Sequence, residues 1–197
     1  MSDVSGPGRF HERVPENIFL VGLMGAGKTS VGKLLAKRLG KEFYDCDHEI
    51  EEATGVKIAV IFEIEGEAGF RTRESKMLVD LAKRRNALIA TGGGAVLSPA
   101  NRALLAENGI VIYLRAAPVD LWRRTRHDRQ RPLLKTEDRM ARLEQLFAER
   151  NPLYHEIADI IVDTGSQSVG ALAGKLERRI LEFKAQAGGG GDPVRAG

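Results

Sequence analysis

The stretch GLMGAGKTS, residues 22–30, decides the fold of this chain. It satisfies the pattern G-x-x-x-x-G-K-[ST], in which glycines curl the backbone so that successive N–H groups face phosphate oxygens. The apolar run before it, residues 17–21, predicts a buried strand, and the apolar spacing of residues 28–39 predicts a helix. A strand, a phosphate loop and a helix together predict an ATP or GTP site, and leave open whether the protein is a kinase, a GTPase or an ATPase.

Each residue type in this loop has a chemical task. We predict that the phosphates are held by six consecutive residues: Gly25, Ala26, Gly27, Lys28, Thr29 and Ser30. The lysine would reach the outer phosphates, the threonine hydroxyl would help to hold Mg²⁺, and the helix N-terminus adds partial positive charge. An ordinary glycine-rich turn would explain the glycines, but not the Lys28-Thr29 pair or its spacing.

Strand-like and helix-like segments alternate along the rest of the chain. Further strands are predicted at residues 42–46, 87–91, 110–114 and 160–162. Helices are predicted between them, including one over residues 138–150 that ends before Asn151-Pro152, and a last one over residues 169–183. Strands without strict alternation, separated by helices, indicate a parallel sheet covered on both faces. We therefore expect a three-layer α/β/α domain with five parallel strands over residues 17–187, between flexible tails at residues 1–16 and 188–197.

The composition restricts the class of protein. The chain has 30 basic and 27 acidic side chains, and this mixed surface does not indicate a nucleic-acid partner. One cysteine, Cys46, excludes an intramolecular disulfide framework and a cysteine-based zinc site. The longest uncharged run, residues 86–101, is too short and too broken by glycine to span a bilayer, and residues 1–16 contain no apolar signal segment. We therefore expect a cytoplasmic protein with no membrane partner.

Two carboxylates, Asp45 and Asp47, follow the second predicted strand. An extended chain would place both on one side, because side chains in a strand alternate with a period of two. Two carboxylates facing a phosphate loop would repel each other unless a cation or a substrate group lay between them. One would then hold Mg²⁺ and the other a substrate hydroxyl. The alternative is a solvated strand end whose acids cap a helix.

Glycines and arginines provide three weaker signals. Residues 92–94 are three glycines directly after a predicted strand, which fits either a tight turn or the close approach of a ligand to the backbone. Arg71 and Glu74 are i,i+3 neighbours, and we expect a surface ion pair there. Residues 115–150 carry ten basic and six acidic side chains, which indicates either a solvated face or arginines that close over a transferring phosphoryl group.

Taken in order, these motifs resemble the shikimate kinase family, in the nucleoside-monophosphate-kinase-like branch of P-loop proteins. The resemblance covers residues 17–183 and rests on GLMGAGKTS (22–30), DCD (45–47), GEAGFRTRE (66–74), TGGGAV (91–96), RPLL (131–134) and RNPLYHEIAD (150–159). It implies phosphorylation of the 3-hydroxyl of shikimate by ATP with Mg²⁺, a step toward chorismate and the aromatic amino acids. It also implies a monomer with a helical substrate-binding region at about residues 48–80 and a mobile lid at about residues 126–137.

The resemblance assigns roles to single residues. Shikimate would be bound by Asp47, Arg71, Gly93 and Arg150, with the two arginines on its carboxylate and the other two residues on its ring hydroxyls. On the nucleotide side, Asp45 would lie near Mg²⁺ with Thr29, Arg131 would reach the phosphates from the lid, and Arg124 would lie against adenine. The candidate catalytic residues are therefore Lys28, Asp47 and Arg131, with Asp47 as the base that orients or deprotonates the attacking hydroxyl.

Two alternative functions remain open on the sequence. The first is another small-molecule kinase of the same branch, such as a gluconate or nucleoside monophosphate kinase; the Asp45 and Asp47 pair and Arg71 argue against it. The second is a nucleotide-dependent regulatory protein without catalysis, against which Lys28 and Arg131 argue. The chain departs from many family members at residues 163–168, which lack the proline of the adenine-contacting segment, so no adenine contact is assigned there.

Overall fold

A parallel five-stranded sheet forms the centre of the computed structural model, which describes residues 17–128 and 132–188. The strands are β1 (Ile18–Val21), β2 (Glu42–Asp45), β3 (Ala87–Ala90), β4 (Ile110–Arg115) and β5 (Ile160–Asp163). Their order is β2-β3-β1-β4-β5, and every neighbouring pair is parallel. Since β1 is central, all four of its side chains are buried, as the apolar run predicts. The predicted five-stranded parallel sheet is confirmed.

Helices cover both faces of this sheet. They are α1 (Lys28–Leu39), α2 (Cys46–Thr54), α3 (Ile58–Ala82), α4 (Pro99–Asn108), α5 (Pro118–Thr125), α6 (Arg139–Ile157) and α7 (Val169–Gly188). After β1 the chain crosses the sheet toward β2, and after β3 it crosses in the opposite direction, toward β4. Because such crossovers are right-handed, α1 lies on one face of the sheet and α4 on the other. Helix α7 packs on α1, and α6 packs on α4. These contacts complete the three predicted layers.

Helix α6 differs from the sequence prediction, because it does not end before Asn151-Pro152. It continues through Pro152 to Ile157. A proline removes one helical hydrogen bond and disfavours the α conformation in the residue before it. The buried side chains of α6 nevertheless keep the helical spacing across the proline: Leu143, Leu146, Arg150, Tyr154 and Ile157. Burial of the last turn therefore outweighs the local preference to end the helix.

The ends of the chain need a smaller correction. Helix α7 extends to Gly188, five residues beyond the predicted end, so the predicted C-terminal tail does not begin at residue 188. Residues 1–16 and 189–197 lie outside the described residues. Within the described ranges, no helix is both long enough and apolar enough to cross a membrane.

Candidate active site

A cleft of about 1020 Å³ opens at the carboxyl ends of β1 and β3. The connections that follow these two neighbouring strands run in opposite directions, and ligands of open α/β sheets bind at such a point. The cleft brings together twelve of the predicted site residues: Gly25, Ala26, Gly27, Lys28, Thr29, Ser30, Asp45, Asp47, Arg71, Gly93, Arg124 and Arg150. The remaining one, Arg131, lies outside the described residues.

The phosphate loop occupies one end of the cleft. Gly25 and Gly27 have φ angles of 81° and 98°, which residues with a side chain rarely adopt. The ammonium of Lys28 lies over the loop and donates to the carbonyl oxygens of Gly22, at 2.7 Å, and Leu23, at 3.0 Å. Helix α1 begins at Lys28, so its first N–H groups face the same space. The loop thus presents N–H groups and one ammonium to an anion.

Asp45 lies beside this loop and caps helix α2. Its carboxylate accepts hydrogen bonds from the backbone N–H groups of Asp47, at 3.1 Å, and His48, at 3.4 Å. The expectation of an extended chain from Asp45 to Asp47 is wrong, because α2 begins at Cys46 and places Asp47 in the first helical turn. Asp45 therefore caps α2 through Oδ1, while its Oδ2 faces Thr29.

The second carboxylate oxygen of Asp45 accepts a hydrogen bond of 2.6 Å from the hydroxyl of Thr29. A hydroxyl and a carboxylate are hard oxygen donors. Mg²⁺ is usually held by one or two such groups together with substrate phosphates and water. Within residues 17–128 and 132–188, no group of three or more His, Cys, Asp or Glu side chains could hold a metal ion. The Thr29 and Asp45 pair fits Mg²⁺ next to the phosphate loop.

Arg71 and Glu74 form a buried ion pair at the other end of the cleft. Nη1 of Arg71 donates to Oε2 of Glu74 at 2.7 Å, and its Nη2 donates to Oε1 of Glu67 at 2.8 Å. The side chain of Glu74 is 0% exposed and that of Arg71 is 20% exposed, so the expected surface pair is wrong. Glu74 follows Phe70 and precedes Leu78 on the buried face of α3. A carboxylate within this apolar stripe is the signal that sequence reasoning missed.

Arg150 faces the same end of the cleft from helix α6. It is 2% exposed, and its Nε and Nη1 have no hydrogen-bond partner among the described residues. Oε1 of Glu74 is likewise without one. Buried polar atoms in native proteins are nearly always paired, by protein, water or ligand. Arg150 thus offers two buried donor atoms at the cleft, which suits a small ligand with anionic oxygens.

Two of the three glycines after β3, Gly92 and Gly94, have a cause that neither sequence interpretation gave. None of Gly92, Gly93 and Gly94 has a positive φ angle, so the turn does not require glycine. A Cβ on Gly92 would lie 2.0 Å from Oε1 of Glu74, and one on Gly94 would lie 2.2 Å from Cζ of Arg71. Gly92 and Gly94 therefore leave room for the two members of the buried ion pair.

Gly94→Ala is expected to raise the KM for the acceptor about tenfold, because the new methyl group displaces the Arg71 guanidinium, at a cost of about 1–3 kcal/mol. The KM for ATP should stay within about twofold, since the phosphate loop is untouched. Steady-state kinetics with each substrate varied in turn provides the measurement. Gly170→Ala is the matched control, because a Cβ there meets nothing within 4 Å. Equal acceptor KM values for the two variants would contradict this account.

The burial of Glu74 predicts a pH-dependent contribution to stability. Burial raises the pKa of Glu74, with Asp47 acting in the same direction and Arg71 and Arg150 opposing it. A pKa raised in the folded state adds stability that is fully present below the unfolded value, near 4.5, and is lost as the pH rises through the folded value. The free energy of unfolding of the wild type minus that of Glu74→Gln should therefore fall between pH 4 and 8.

Urea unfolding of both proteins at several pH values measures this difference. Glu67→Gln is the matched control, since it removes the exposed carboxylate bonded to the same guanidinium. If this difference in the free energy of unfolding instead grows with pH, the ion pair with Arg71 affects the pKa of Glu74 more strongly than burial does.

The rim on the nucleotide side is formed by Arg124 of helix α5. Its Nη1 donates to the carbonyl of Gly25 at 3.1 Å and to the hydroxyl of Thr164 at 3.2 Å, and its Nη2 donates to the carbonyl of Gly165. Arg124 thus joins the phosphate loop to the loop after β5. In the predicted lid, Pro132 and Leu133 border the cleft.

The fold and this cleft together define the class of P-loop small-molecule kinases, with a nucleotide end and an end for a small anion. Comparison with known proteins narrows the class. The family model described as Shikimate kinase matches residues 24–181. The chain is 60% identical over 156 residues to a shikimate kinase from Burkholderia lata, covering 79% of this chain and 85% of that protein. The chain belongs to the shikimate kinase family.

Solved structures agree with this assignment. A structure of shikimate kinase from Acinetobacter baumannii in complex with shikimate superimposes with a TM-score of 0.84 and 47% identity, covering 87% of this chain and 95% of that one. A gluconokinase from Sinorhizobium meliloti superimposes with a TM-score of 0.57 and 19% identity, covering 89% of this chain and 94% of that one. That second likeness extends to the fold alone.

Proposed function

We propose that this protein transfers the γ-phosphoryl group of ATP to the 3-hydroxyl of shikimate and releases shikimate 3-phosphate and ADP. The observation that carries the proposal is the pair of guanidinium groups, of partly buried Arg71 and buried Arg150, in the same cleft as the phosphate loop. Planar guanidinium groups match a carboxylate with paired hydrogen bonds. An acceptor with one carboxylate and several hydroxyls fits this end of the cleft.

At the acceptor end, Arg71 and Arg150 hold the carboxylate. Arg150 has two buried nitrogen atoms to donate, and Arg71 is already oriented by Glu67 and Glu74. Asp47, at the start of α2, and the backbone N–H of Gly93 bind ring hydroxyls. These contacts fix the ring, so that one hydroxyl faces the phosphate loop.

At the nucleotide end, the N–H groups of residues 25–30 and the ammonium of Lys28 bind the phosphates. Lys28 exchanges its hydrogen bonds to the loop carbonyls for phosphate oxygens. Arg124 lies against adenine, and Arg131 reaches the phosphates from the lid at about residues 126–137. Thr29 and Asp45 hold Mg²⁺, which neutralises phosphate charge when bound.

The transfer step needs positioning more than strong base catalysis. The 3-hydroxyl oxygen forms a bond to the γ-phosphorus as the bond from that phosphorus to the bridging oxygen of ADP breaks. Asp47 orients this hydroxyl and accepts its proton. A loose transition state develops little charge on the nucleophile, so alignment of the acceptor and neutralisation of the phosphoryl oxygens by Lys28 supply most of the rate.

The protein is proposed to work as a monomer in the cytoplasm, where ATP is available. Sedimentation equilibrium at assay concentrations tests this state.

An acceptor screen that couples ADP release to NADH oxidation tests the proposed activity. Shikimate, gluconate and a nucleoside monophosphate are compared at equal concentrations with ATP and Mg²⁺. We expect turnover with shikimate to exceed that with the other two by at least about 100-fold. Turnover with a nucleoside monophosphate but not with shikimate would overturn the proposal. ATP binding without transfer to any of the three acceptors would favour a regulatory protein.

A further inference from the structure

Tyr154 connects helix α6, which carries Arg150, to the glycine segment that follows strand β3. It lies on α6 one turn after Arg150 and is 0% exposed. Its hydroxyl donates a hydrogen bond of 2.5 Å to the carbonyl oxygen of Gly93. The mechanism above gives this buried phenol no task.

The ring of Tyr154 is held firmly in place. It stacks on Tyr113 of β4, with 4.8 Å between the ring centroids, and the hydroxyl of Tyr113 donates to Oδ1 of Asn151 at 3.0 Å. Burial raises the pKa of Tyr154, and the positive charge of Arg150 opposes this shift without cancelling it. The phenol therefore stays protonated and remains a donor at neutral pH.

The segment that Tyr154 contacts needs an anchor. Glycine reaches more backbone conformations than any other residue. The carbonyls of Gly92 and Gly94 accept hydrogen bonds from the N–H groups of Ala95, at 3.1 Å, and Leu97, at 3.0 Å, whereas Tyr154 holds the carbonyl of Gly93. A trans peptide points its C=O and N–H in opposite directions. A hydrogen bond to the carbonyl of Gly93 therefore also fixes the direction of the Gly94 N–H, on the far side of the same plane.

We propose that Tyr154 is a positioning residue, which holds the carbonyl group of Gly93 and thereby fixes the residue whose N–H binds the acceptor in the proposed function. Because Arg150 and Tyr154 belong to one helix, this lock, the hydrogen bond from Tyr154 to Gly93, also sets the spacing between the Arg150 guanidinium and the glycine backbone. The acceptor is thereby met by a preformed pair of contacts. This inference rests on the proposed function, in which the acceptor binds Gly93 and Arg150.

Tyr154→Phe tests the lock, because it removes one oxygen atom and keeps the stacked ring. We expect the KM for shikimate to rise about fivefold, as for the loss of one neutral hydrogen bond, with the KM for ATP unchanged within about twofold. Tyr113→Phe is the matched control: it removes the hydroxyl of the stacking partner, which bonds to Asn151 and not to the glycines. Both variants lose a hydrogen bond and should lower Tm similarly, but the control should leave the KM for shikimate within about twofold.

An equal KM effect in both variants, or no effect in Tyr154→Phe, would overturn the proposal. Wild-type turnover with shikimate tests the proposed function separately, because the test of the lock compares the KM for shikimate of each variant with that of the wild type. Nitrogen-15 relaxation of the wild type without acceptor is a test that needs neither variant nor turnover. Locked glycines should show order parameters of about 0.85 at residues 92–94, and values below about 0.6 would refute the lock.

Discussion

Lys28→Ala is expected to lower kcat about 10²- to 10³-fold while the protein stays folded. Lys28 supplies the ammonium that lies over the phosphate loop. In the proposed function this ammonium donates to phosphate oxygens whose charge changes during transfer. Removing one preorganised donor from such a position typically costs this factor. The fold should survive, because Lys28 lies in the first turn of α1 and is not part of the hydrophobic core.

Stopped-time assays of ADP release, together with far-UV circular dichroism, measure both parts of this prediction. Lys37→Ala is the matched control, since Lys37 is an exposed lysine in the last turn of the same helix. We expect the control to turn over like the wild type. A kcat for Lys28→Ala within a factor of about three of the wild-type value would remove Lys28 from the catalytic residues.

Arg71→Ala is expected to raise the KM for the acceptor about 100-fold and to lower the free energy of unfolding by about 3 kcal/mol. Two causes combine. The acceptor loses a charged hydrogen-bond donor. In addition, Glu74 keeps its burial but loses the partner at 2.7 Å, and breaking a buried pair costs far more than breaking an exposed one.

The chain offers a close control two residues away. Arg73 forms an ion pair with Glu65, but the Arg73 side chain is 42% exposed. Arg73→Ala should therefore change stability by less than about 1 kcal/mol and leave the KM for the acceptor unchanged. Urea unfolding and acceptor titrations of both variants provide the comparison. An effect of Arg71→Ala confined to the KM for ATP would contradict its place in the acceptor site.

The fold and the phosphate loop could be predicted because their causes are local. The angles of Gly25 and Gly27 are available to few other residues, and the buried run of β1 is continuous along the chain. The family, too, follows from motifs that are short and contiguous. The kink in α3 also has a local cause, because it lies at Gly66, whose φ of 70° favours glycine.

The acceptor end was harder to predict, because its geometry depends on packing between distant segments. Glu74 forms an i,i+3 pair in sequence, and only the packing of α3 makes this pair a buried one. Pro152 locally predicts a helix end, yet the buried side chains of the last turn carry α6 onward to Tyr154 and Ile157. The lid at about residues 126–137, the tails and the roles of single residues stay predictions.

The lack of room for a side chain at Gly92 and Gly94 restricts how this cleft can change in evolution. The two glycines are not needed for a bend in the chain; their missing side chains match the bulk of Glu74 and Arg71. A larger residue at position 94 displaces the Arg71 guanidinium unless position 71 becomes smaller as well, and positions 92 and 74 are related in the same way. We therefore expect the residues at these four positions to change together, in pairs, among related proteins.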